Sequence, residues 1–397
     1  MDRIASKDKC TGCGACAYTC PNQCITMHEH GMEGWLPTLN LTNCINCGKC
    51  TKVCPVKTKV DKHEQVDVFA SWHTDSEMRR KCASSGTASA MYQKALKKGW
   101  YIGGAVSVNA LDVEMQLCSE ANAIQEFCSS KYIFSYSDKI YVQIKQALTE
   151  NKVFLFIGLP CQVAAIHNLF KLKRDQMILV DLVCHGANTK EYLKQHIAHV
   201  ADVEKVKKVI FREGERFLIK MLDKKGKVVY EESSWYKDMY QFGYHKGIFY
   251  RQNCYLCQYA SAKRVSDITL KDYWGLGEMV PIDYPKERVS AVLINTDRGL
   301  NFFNECIEEG FVVAYKRPLD EPIKGDSQLQ HPVLIKPEKL SFEQLMMQNG
   351  NDFESAMKVV AVQTELKENQ QRRKNARKAC FYAFRSKIYH LIIDCFK

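Results

Sequence analysis

Two runs of cysteines near the amino terminus share one spacing and could bind iron–sulfur clusters. Both runs read C-x2-C-x2-C-x3-C-P, and the second repeats the first 34 residues later. A cubane cluster requires four soft thiolates at the corners of a tetrahedron. Three cysteines at this spacing can face one cluster, whereas the fourth, expected at the start of a helix, serves the neighbouring cluster. The predicted ligand sets are Cys10, Cys13, Cys16 with Cys54, and Cys44, Cys47, Cys50 with Cys20.

Zinc is the alternative metal for a set of four thiolates. Zinc sites usually present two C-x2-C pairs, whereas each run here is a triple followed by Cys-Pro. The pattern therefore predicts a dicluster 4Fe–4S ferredoxin domain over residues 1–58, and it indicates that the chain transfers electrons.

A second group of four cysteines occupies positions where ligands often gather. Cys161 follows one predicted buried strand, Cys184 follows the next, and Cys254 and Cys257 form a C-x2-C pair. Cofactors of α/β sheets collect at the carboxyl ends of strands, so these sulfurs could converge. Spacing alone leaves open buried structural cysteines, a zinc site or a third iron–sulfur cluster. The other cysteines show no ligand spacing and are expected to be inert: Cys24, Cys82, Cys118, Cys128, Cys306, Cys380 and Cys395.

The elements that must position these cysteines alternate between strands and helices from Val68 onward. Short apolar runs predict strands at 101–108, 153–157, 177–183, 208–211, 217–222, 227–231 and 289–295. Amphipathic runs predict helices at 87–98, 141–149, 163–172, 190–199 and 300–309, the first of them opened by Ser84 and Ser85. The fold class is therefore α+β or mixed α/β. A small ferredoxin domain precedes a larger mixed-sheet core at 68–335 and a helical, basic extension at 336–397, with a polar linker at 57–67.

Composition narrows the class of protein. The 397 residues carry a formal charge of +11, which falls to about +7 with two clusters and about +5 with three, because each cluster with its thiolates carries about −2. A basic face suits an acidic redox partner, and nothing resembles nucleic-acid recognition. The first residues show no secretory signal, and no run approaches the roughly 18 apolar residues of a membrane span. We therefore expect a cytoplasmic protein.

The carboxyl-terminal segment has a pattern of its own. A strongly basic stretch, Arg372 to Lys378, precedes apolar residues at helical spacing: Cys380, Phe381, Phe384, Ile388, Leu391, Ile392 and Cys395. A basic amphipathic helix can contact an anionic membrane surface peripherally. It can also pack on its own domain or on a second copy in a homo-oligomer, which is the commoner outcome for such helices.

Five short motifs together resemble one known family. They are Pro160-Cys161-Gln162, Cys184-His185-Gly186, Cys254-x2-Cys257, Lys131-Tyr132 and Asp272-Tyr273-Trp274-Gly275. The chain resembles the coenzyme F(420) hydrogenase/dehydrogenase beta-subunit family from about 68 to 311. That family includes the deazaflavin-reducing hydrogenase subunit and the plant 7-hydroxymethyl chlorophyll a reductase. Its members bind FAD and hold a 4Fe–4S cluster on the core cysteines, so the resemblance implies both in the 68–335 core.

The flavin-binding residues implied by this resemblance have physical roles and ordinary alternatives. A helix N-terminus can bind a phosphate or can be a simple cap, and the segment concerned is Ser84, Ser85, Gly86 and Thr87. Lys131, next to Tyr132, could pair with the pyrophosphate, although an exposed lysine is the default. Asp272 and Trp274 could form an aromatic wall with one orienting carboxylate, or could belong to the core.

His185 is the candidate catalytic residue. It adjoins a candidate ligand, and histidine can donate a proton near neutral pH. A hydrogen-bonded core histidine is the alternative.

These observations predict an iron–sulfur flavoprotein oxidoreductase. Electrons would enter from a ferredoxin-like or other redox protein, pass through the 4Fe–4S clusters to FAD, and reduce a small-molecule substrate, or run in reverse. The alternative is a non-catalytic electron-transfer subunit of a larger redox complex, and a third hypothesis is a redox sensor that binds no flavin. Fold-level analogy does not predict the substrate.

Overall fold

The structure is a computed structural model that describes the backbone of residues 4–395 and the side chains of residues 4–379. Contacts divide the chain into two compact units, Met1–Ile335 and Lys336–Lys397. The apolar stripe predicted for the tail, Cys380 to Cys395, lies outside the described side chains.

The ferredoxin region is built from two one-turn helices and a hairpin. Its elements are α1 (Ala15–Thr19), β1 (Ile25–Glu29), β2 (Trp35–Leu39) and α2 (Lys49–Val53), with β1 and β2 antiparallel. Cys20 and Cys54 directly follow α1 and α2 in extended conformation. The fourth cysteine of each run therefore lies at the end of a short helix, and the expectation that it starts a helix was wrong.

An eight-stranded mixed sheet forms the centre of the Met1–Ile335 unit. The remaining strands are β3 (Asp67–His73), β4 (Tyr101–Ser107), β5 (Val113–Cys118), β6 (Phe154–Gly158), β7 (Met177–Leu182), β8 (Lys208–Glu213), β9 (Arg216–Leu222), β10 (Val228–Glu232), β11 (Ile268–Asp272), β12 (Ser290–Ile294) and β13 (Val312–Lys316). The sheet order is β13-β3-β12-β11-β7-β6-β4-β5, and β8, β9 and β10 form a separate antiparallel sheet. The four inner strands β11, β7, β6 and β4 are parallel neighbours, whereas the outer pairings are antiparallel. The carboxyl ends of the inner strands therefore share one edge.

Helices pack on both faces of this sheet. The helices of this part of the chain are α3 (Ser76–Lys81), α4 (Thr87–Lys97), α5 (Ala123–Phe127), α6 (Asp138–Thr149), α7 (Pro160–Phe170), α8 (Lys190–Val200), α9 (Met239–Lys246), α10 (Asp297–Glu308) and α11 (Asp320–Lys324). Of these, α6 and α7 pack on one face and α4 and α10 on the other. Alternate side chains of β6 enter two apolar clusters, because a strand turns successive residues to opposite faces. Phe154 and Phe156 pack with α6 and α7, whereas Leu155 packs with α4 and α10. The first cluster also contains Cys13 and Ala15, so the ferredoxin region shares the core of the sheet.

The predicted mixed α/β class, with its small ferredoxin region and helical end, is confirmed. The strand predicted at 153–157 is β6 and the strand at 177–183 is β7, each within one residue at its ends. The helix predicted at 87–98 begins at Thr87, but Gly86, with φ 82°, holds the cap position instead of Ser84 or Ser85.

The Lys336–Lys397 unit is helical. It consists of α12 (Pro337–Gln348) and α13 (Phe353–Cys395), and the rings of Phe342 and Phe353 pack with centroids 6.0 Å apart. The basic stretch Arg372 to Lys378 is exposed along α13. Within residues 4–395, no helix combines the length and the apolarity that crossing a membrane requires.

Candidate redox centres

The first three cysteines and Cys54 lie close enough for their charges to interact. Burial, followed by the neighbouring thiolates of Cys10 and Cys54, raises the pKa of Cys13 to about 11. Burial and the charges of Cys13, Cys10 and Cys54 also raise the pKa of Cys16. Like charges perturb one another this way only at short range. Cys54, the last cysteine of the second run, therefore lies beside the first three cysteines of the first run.

The first three cysteines of the second run surround a hollow of about 20 Å³. Its lining includes Cys44, Cys47 and Cys50 together with Cys20. The fourth cysteine of each run thus stands with the triple of the other run, which is the arrangement that crossed ligation requires.

Cys24 lines the same hollow, although its spacing indicated no ligand role. Its backbone N–H donates to Cys20 Sγ at 3.3 Å, and its own Sγ lies 3.6 Å from the Asn22 carbonyl oxygen. The side chain is buried. The spacing of the cysteines could not predict that Cys24 lies near Cys20. The fold brings them together, because β1 begins at the residue after Cys24.

The four core cysteines line a single cavity of about 260 Å³. Cys161 lies in the first turn of α7, just past β6, and Cys184 follows β7. Cys254 lies within the 3-10 turn Gln252–Leu256, and Cys257 follows it. The parallel strands deliver the first two sulfurs to the same edge, and the 3-10 turn brings the other two to it.

The charges of the core thiolates act on one another. Burial raises the pKa of Cys161, and the thiolates of Cys257, Cys184 and Cys254 raise it further. Burial, Cys254 and Cys257 likewise raise the pKa of Cys184. The N–H of Ala187 donates to Cys254 Sγ at 3.4 Å, a contact that stabilises a thiolate ligand. These four sulfurs suit a 4Fe–4S cluster in their number, softness and convergence.

No group of three or more His, Cys, Asp or Glu side chains among residues 4–379 is arranged around a single metal ion. The sulfurs around a cubane stand farther apart than ligands that share one ion, because four irons lie between them.

The ferredoxin region closes one side of the core cavity. Lys9, Thr11 and Val56 belong to its lining. The hydroxyl of Tyr141 donates to the Cys13 carbonyl at 2.7 Å, and the hydroxyl of Tyr259 donates to the Pro55 carbonyl at 2.8 Å. These contacts fix the first ferredoxin site against the core cysteines.

Ser84 and Asp272, two predicted flavin-binding residues, lie together. Ser84 Oγ donates to Asp272 Oδ1 at 2.5 Å, and Arg212 Nη1 donates to Asp272 Oδ2 at 2.6 Å. Sequence reasoning missed Arg212, which lies in β8, because an arginine in an amphipathic strand carries no distinguishing signal. The group offers a hydroxyl, a carboxylate and a guanidinium to a polar ligand.

Ser85 and Thr87 are directed inward instead. Their hydroxyls form a hydrogen bond with each other at 2.7 Å. The Ser85 hydroxyl also bonds to Ser290, and the Thr87 hydroxyl bonds to Ser71. Ser85 is fully buried, and its Oγ accepts from the N–H of Thr87 at 3.2 Å. These side chains bind the helix start to the sheet, and Gly86 makes the turn between them.

Tyr132, which follows Lys131, lies near Arg212 and Asp272. Lys131 Nζ donates to the carbonyls of Glu126 and Ser129 at 2.5 and 3.1 Å, and burial lowers its pKa to about 8. Tyr132 stacks on Tyr244 with centroids 4.1 Å apart. Burial raises the pKa of Tyr132; the charge of Arg212 opposes this rise and the charge of Asp272 adds to it.

His245 stands at the edge of the Tyr132 ring. Its Nε2 is buried and has no hydrogen-bond partner among the described side chains. Burial, with the charges of His185 and Arg212, lowers the pKa of His245 to about 4. A buried polar atom without a partner, beside aromatic rings, could bond to a polar heteroatom of an aromatic ligand.

His185 lines the core cavity and reaches toward Trp274. The two rings meet edge to face at 5.5 Å, and Trp274 is 48% exposed. His185 Nε2 lies 3.7 Å from Asp326 Oδ2, and Lys271 Nζ is 3.0 Å from the same oxygen. Although burial opposes it, the hydrogen bond from His185 and the charge of Lys271 lower the pKa of Asp326 to about 2. A fixed carboxylate therefore orients His185.

Two segments of the chain match known families. Residues 9–58 match the 4Fe–4S dicluster domain. Residues 151–318 match the family described as the C terminus of the coenzyme F(420) hydrogenase/dehydrogenase beta subunit. A segment that matches the dicluster domain thus precedes a segment that matches the C terminus of this beta subunit. The predicted family and the predicted 4Fe–4S domain are thus confirmed, and with them an electron-transfer role.

A chain of the xenon-derivatised F(420)-reducing [NiFe] hydrogenase complex from Methanosarcina barkeri is similar in structure. It is 18% identical, with a TM-score of 0.46, and the match covers 75% of this chain and 91% of that chain. No curated protein matches the sequence.

The matched segment 151–318 contains most of the candidate site residues described above. All four core cysteines, His185, Arg212 and Asp272 fall within 151–318, whereas Ser84 and Lys131 precede it.

Proposed function

We propose that this protein is an iron–sulfur flavoprotein oxidoreductase. Electrons from a one-electron carrier protein pass from the second ferredoxin cluster to the first, then to a core cluster on Cys161, Cys184, Cys254 and Cys257, and onward to FAD and a small molecule. The observation that carries the proposal is the single cavity lined by all four core cysteines and by Lys9 and Thr11 of the ferredoxin region.

FAD, when bound, converts single electrons into a two-electron reduction. The residues that would hold it are the hydroxyl of Ser84, the charged groups of Arg212 and Lys131, and the stacked ring of Tyr132. The orphaned Nε2 of His245 is available to a ring heteroatom. Asp272 orients Arg212 and accepts from Ser84.

His185 is the proton donor of this proposal. It lies between the core cavity and the half-exposed Trp274, where a substrate from solvent could approach. Asp326 Oδ2 lies 3.7 Å from His185 Nε2 and orients the ring, while Lys271 Nζ lies 3.0 Å from the same carboxylate oxygen.

Anaerobic purification with iron, sulfide and flavin counted together tests the proposal. We expect about twelve irons per chain, the content of three 4Fe–4S clusters, and one FAD. Eight irons with no flavin would contradict it. Twelve irons and FAD, but no small molecule reduced by the isolated chain, would favour the electron-transfer subunit.

Lys131 gives flavin binding a pH dependence. Its lowered pKa means that the cation is lost as pH rises through about 8, so an anionic phosphate loses its partner. We expect FAD affinity to fall above pH 8 by up to about tenfold per pH unit, the slope for one proton. Fluorescence titration of flavin-depleted protein between pH 6.5 and 9.5 measures this fall.

Arginine remains protonated throughout that range. Lys131→Arg should therefore flatten the profile. An equally steep fall in this variant would contradict the role given to Lys131.

Electron entry is proposed at the second cluster. Cys47 is exposed there, with Leu41 64% and Ile45 61% exposed beside it in sequence. Residues 34–60 contain no Asp or Glu but four exposed lysines: Lys49, Lys52, Lys57 and Lys59. An apolar patch with basic neighbours suits an acidic one-electron carrier.

Lys49→Glu should slow reduction by such a carrier about tenfold at low ionic strength, with full iron content, because steering by charge is lost. Stopped-flow mixing with an acidic ferredoxin measures the rate, and the difference should shrink in high salt. Lys224→Glu, an equal charge change at an exposed position in the β9–β10 turn, is the matched control. Equal slowing in both variants would remove this surface from the proposal.

A further inference from the structure

Arg251 lies between the first ferredoxin site and the core cysteines. It is three residues before Cys254, and its side chain lines the core cavity. Arg251 Nη1 donates to the Thr11 carbonyl at 2.8 Å and Nη2 to the Cys10 carbonyl at 3.5 Å. One guanidinium therefore connects the loop of the first cluster to the loop of the core cysteines.

The ferredoxin backbone leaves space for this guanidinium. A Cβ on Gly12 would lie 2.7 Å from Arg251 Nη2, and a Cβ on Gly34 would lie 3.1 Å from Arg251 Nε. The other face of the guanidinium covers the Phe134 ring at 4.4 Å. The glycines allow a close approach that a side chain would block.

This charge is buried without a balancing anion. Arg251 is 4% exposed, its Nε has no hydrogen-bond partner, and no carboxylate within residues 4–379 forms a salt bridge with it. Arg264, the other buried arginine of the cavity, contrasts with it, because Asp181 Oδ1 lies 3.0 Å from Arg264 Nη2. Burying an unpaired cation is costly. The negative clusters on either side would supply the missing counter-charge.

Arg251 is in contact with a cysteine of each group. Its Nη2 donates to the Cys10 carbonyl at 3.5 Å, and its own carbonyl accepts from the Cys254 N–H at 2.9 Å. A buried cation between two clusters favours the added electron of each reduced cluster, because reduction adds negative charge.

We propose that Arg251 is a positioning residue that raises the reduction potentials of the first ferredoxin cluster and the core cluster together. The inference rests on the core cluster of the proposed function. Its consequence is that these two clusters accept electrons more readily, whereas the lining of the second ferredoxin hollow does not include Arg251.

Redox titration of the anaerobically purified full chain, followed by electron paramagnetic resonance, tests the inference. Arg251→Met should lower both potentials and leave the second ferredoxin cluster unchanged. A tenfold change in each reduction equilibrium corresponds to about 59 mV for one electron, and we expect at least that change. Arg251→Lys, which keeps the charge but not the fork of donors, should restore most of it.

The matched control is Lys9→Met. Lys9 lines the same cavity but is exposed, so water screens its charge and the shift should be far smaller. Unchanged potentials in Arg251→Met, or an equal shift of all three clusters, would overturn the inference.

Iron counted before titration separates the two proposals. About eight irons in the unaltered chain would mean that the core cluster is absent, and the proposed function would fail. The effect of Arg251→Met on the potential of the first ferredoxin cluster would still test the role of Arg251. If Arg251→Met loses iron, Arg251→Lys decides. Retained iron and retained potentials support the charge, whereas lost iron means that Arg251 acts only through packing and the inference fails.

Discussion

Replacing Cys161 with alanine should remove about four irons per chain, one cluster's content, and leave the two ferredoxin clusters intact. The expected loss is selective, because Cys161 faces Cys184, Cys254 and Cys257 in the core cavity. Reduction of bound FAD by a one-electron carrier should then stop, since the ferredoxin clusters have no further redox centre that leads to the flavin. Iron analysis and anaerobic flavin bleaching measure the two effects.

Cys306→Ala is the matched control for this substitution. Cys306 is fully buried, and it lies in α10 within the apolar cluster of the other sheet face. Its replacement should leave iron content and flavin reduction unchanged. A core that holds one zinc, or an unchanged iron count in Cys161→Ala, would break the proposed electron path.

Local patterns were enough to predict the elements that position Cys161 and Cys184. Continuous apolar runs predicted β6 and β7, and parallel buried strands are the elements for which such runs are most characteristic. The tandem cysteine motif likewise identified the ferredoxin region, because its chemistry requires a fixed spacing.

Long-range contacts account for what the sequence could not predict. Arg212 and Asp272 are 60 residues apart, and their bond depends on how the small β8–β10 sheet meets β11. Arg251 is near a motif in sequence, but its partners Thr11 and Cys10 lie about 240 residues earlier. Asp326 similarly reaches His185 from a 3-10 turn near the end of the unit. Periodicity contains no information on such pairings.

The N-cap of α4 shows a second reason why a prediction from sequence alone was wrong. Serine is a preferred N-cap, so Ser84 and Ser85 were reasonable predictions. In the structure Ser85 bonds to Ser290 of β12, and Gly86 takes the cap with a positive φ. A tertiary hydrogen bond therefore overrode a local preference.

Cys54→Ala should destroy the cluster of the other run. Cys54 stands with Cys10, Cys13 and Cys16, so the first cluster should be lost or reduced to a three-iron form, with the cluster of Cys44, Cys47 and Cys50 preserved. The path from entry site to core cavity then lacks its middle centre, and electron transfer to the core should fail although both ends remain. Site-resolved spectroscopy of the two ferredoxin clusters measures the damage.

Cys54 gives a clearer test than Cys20. Cys24 lines the second hollow beside Cys20, so a spare thiol stands near the vacancy that Cys20→Ala would create. Around Cys13 and Cys16, by contrast, the interacting thiols are those of the same ligand set and Cys161, which belongs to the core set. If the damage in Cys54→Ala were confined to the cluster of Cys44 to Cys50, each run would hold its own cluster. Crossed ligation would then be wrong, and the order of electron transfer through the ferredoxin region would no longer follow from these contacts.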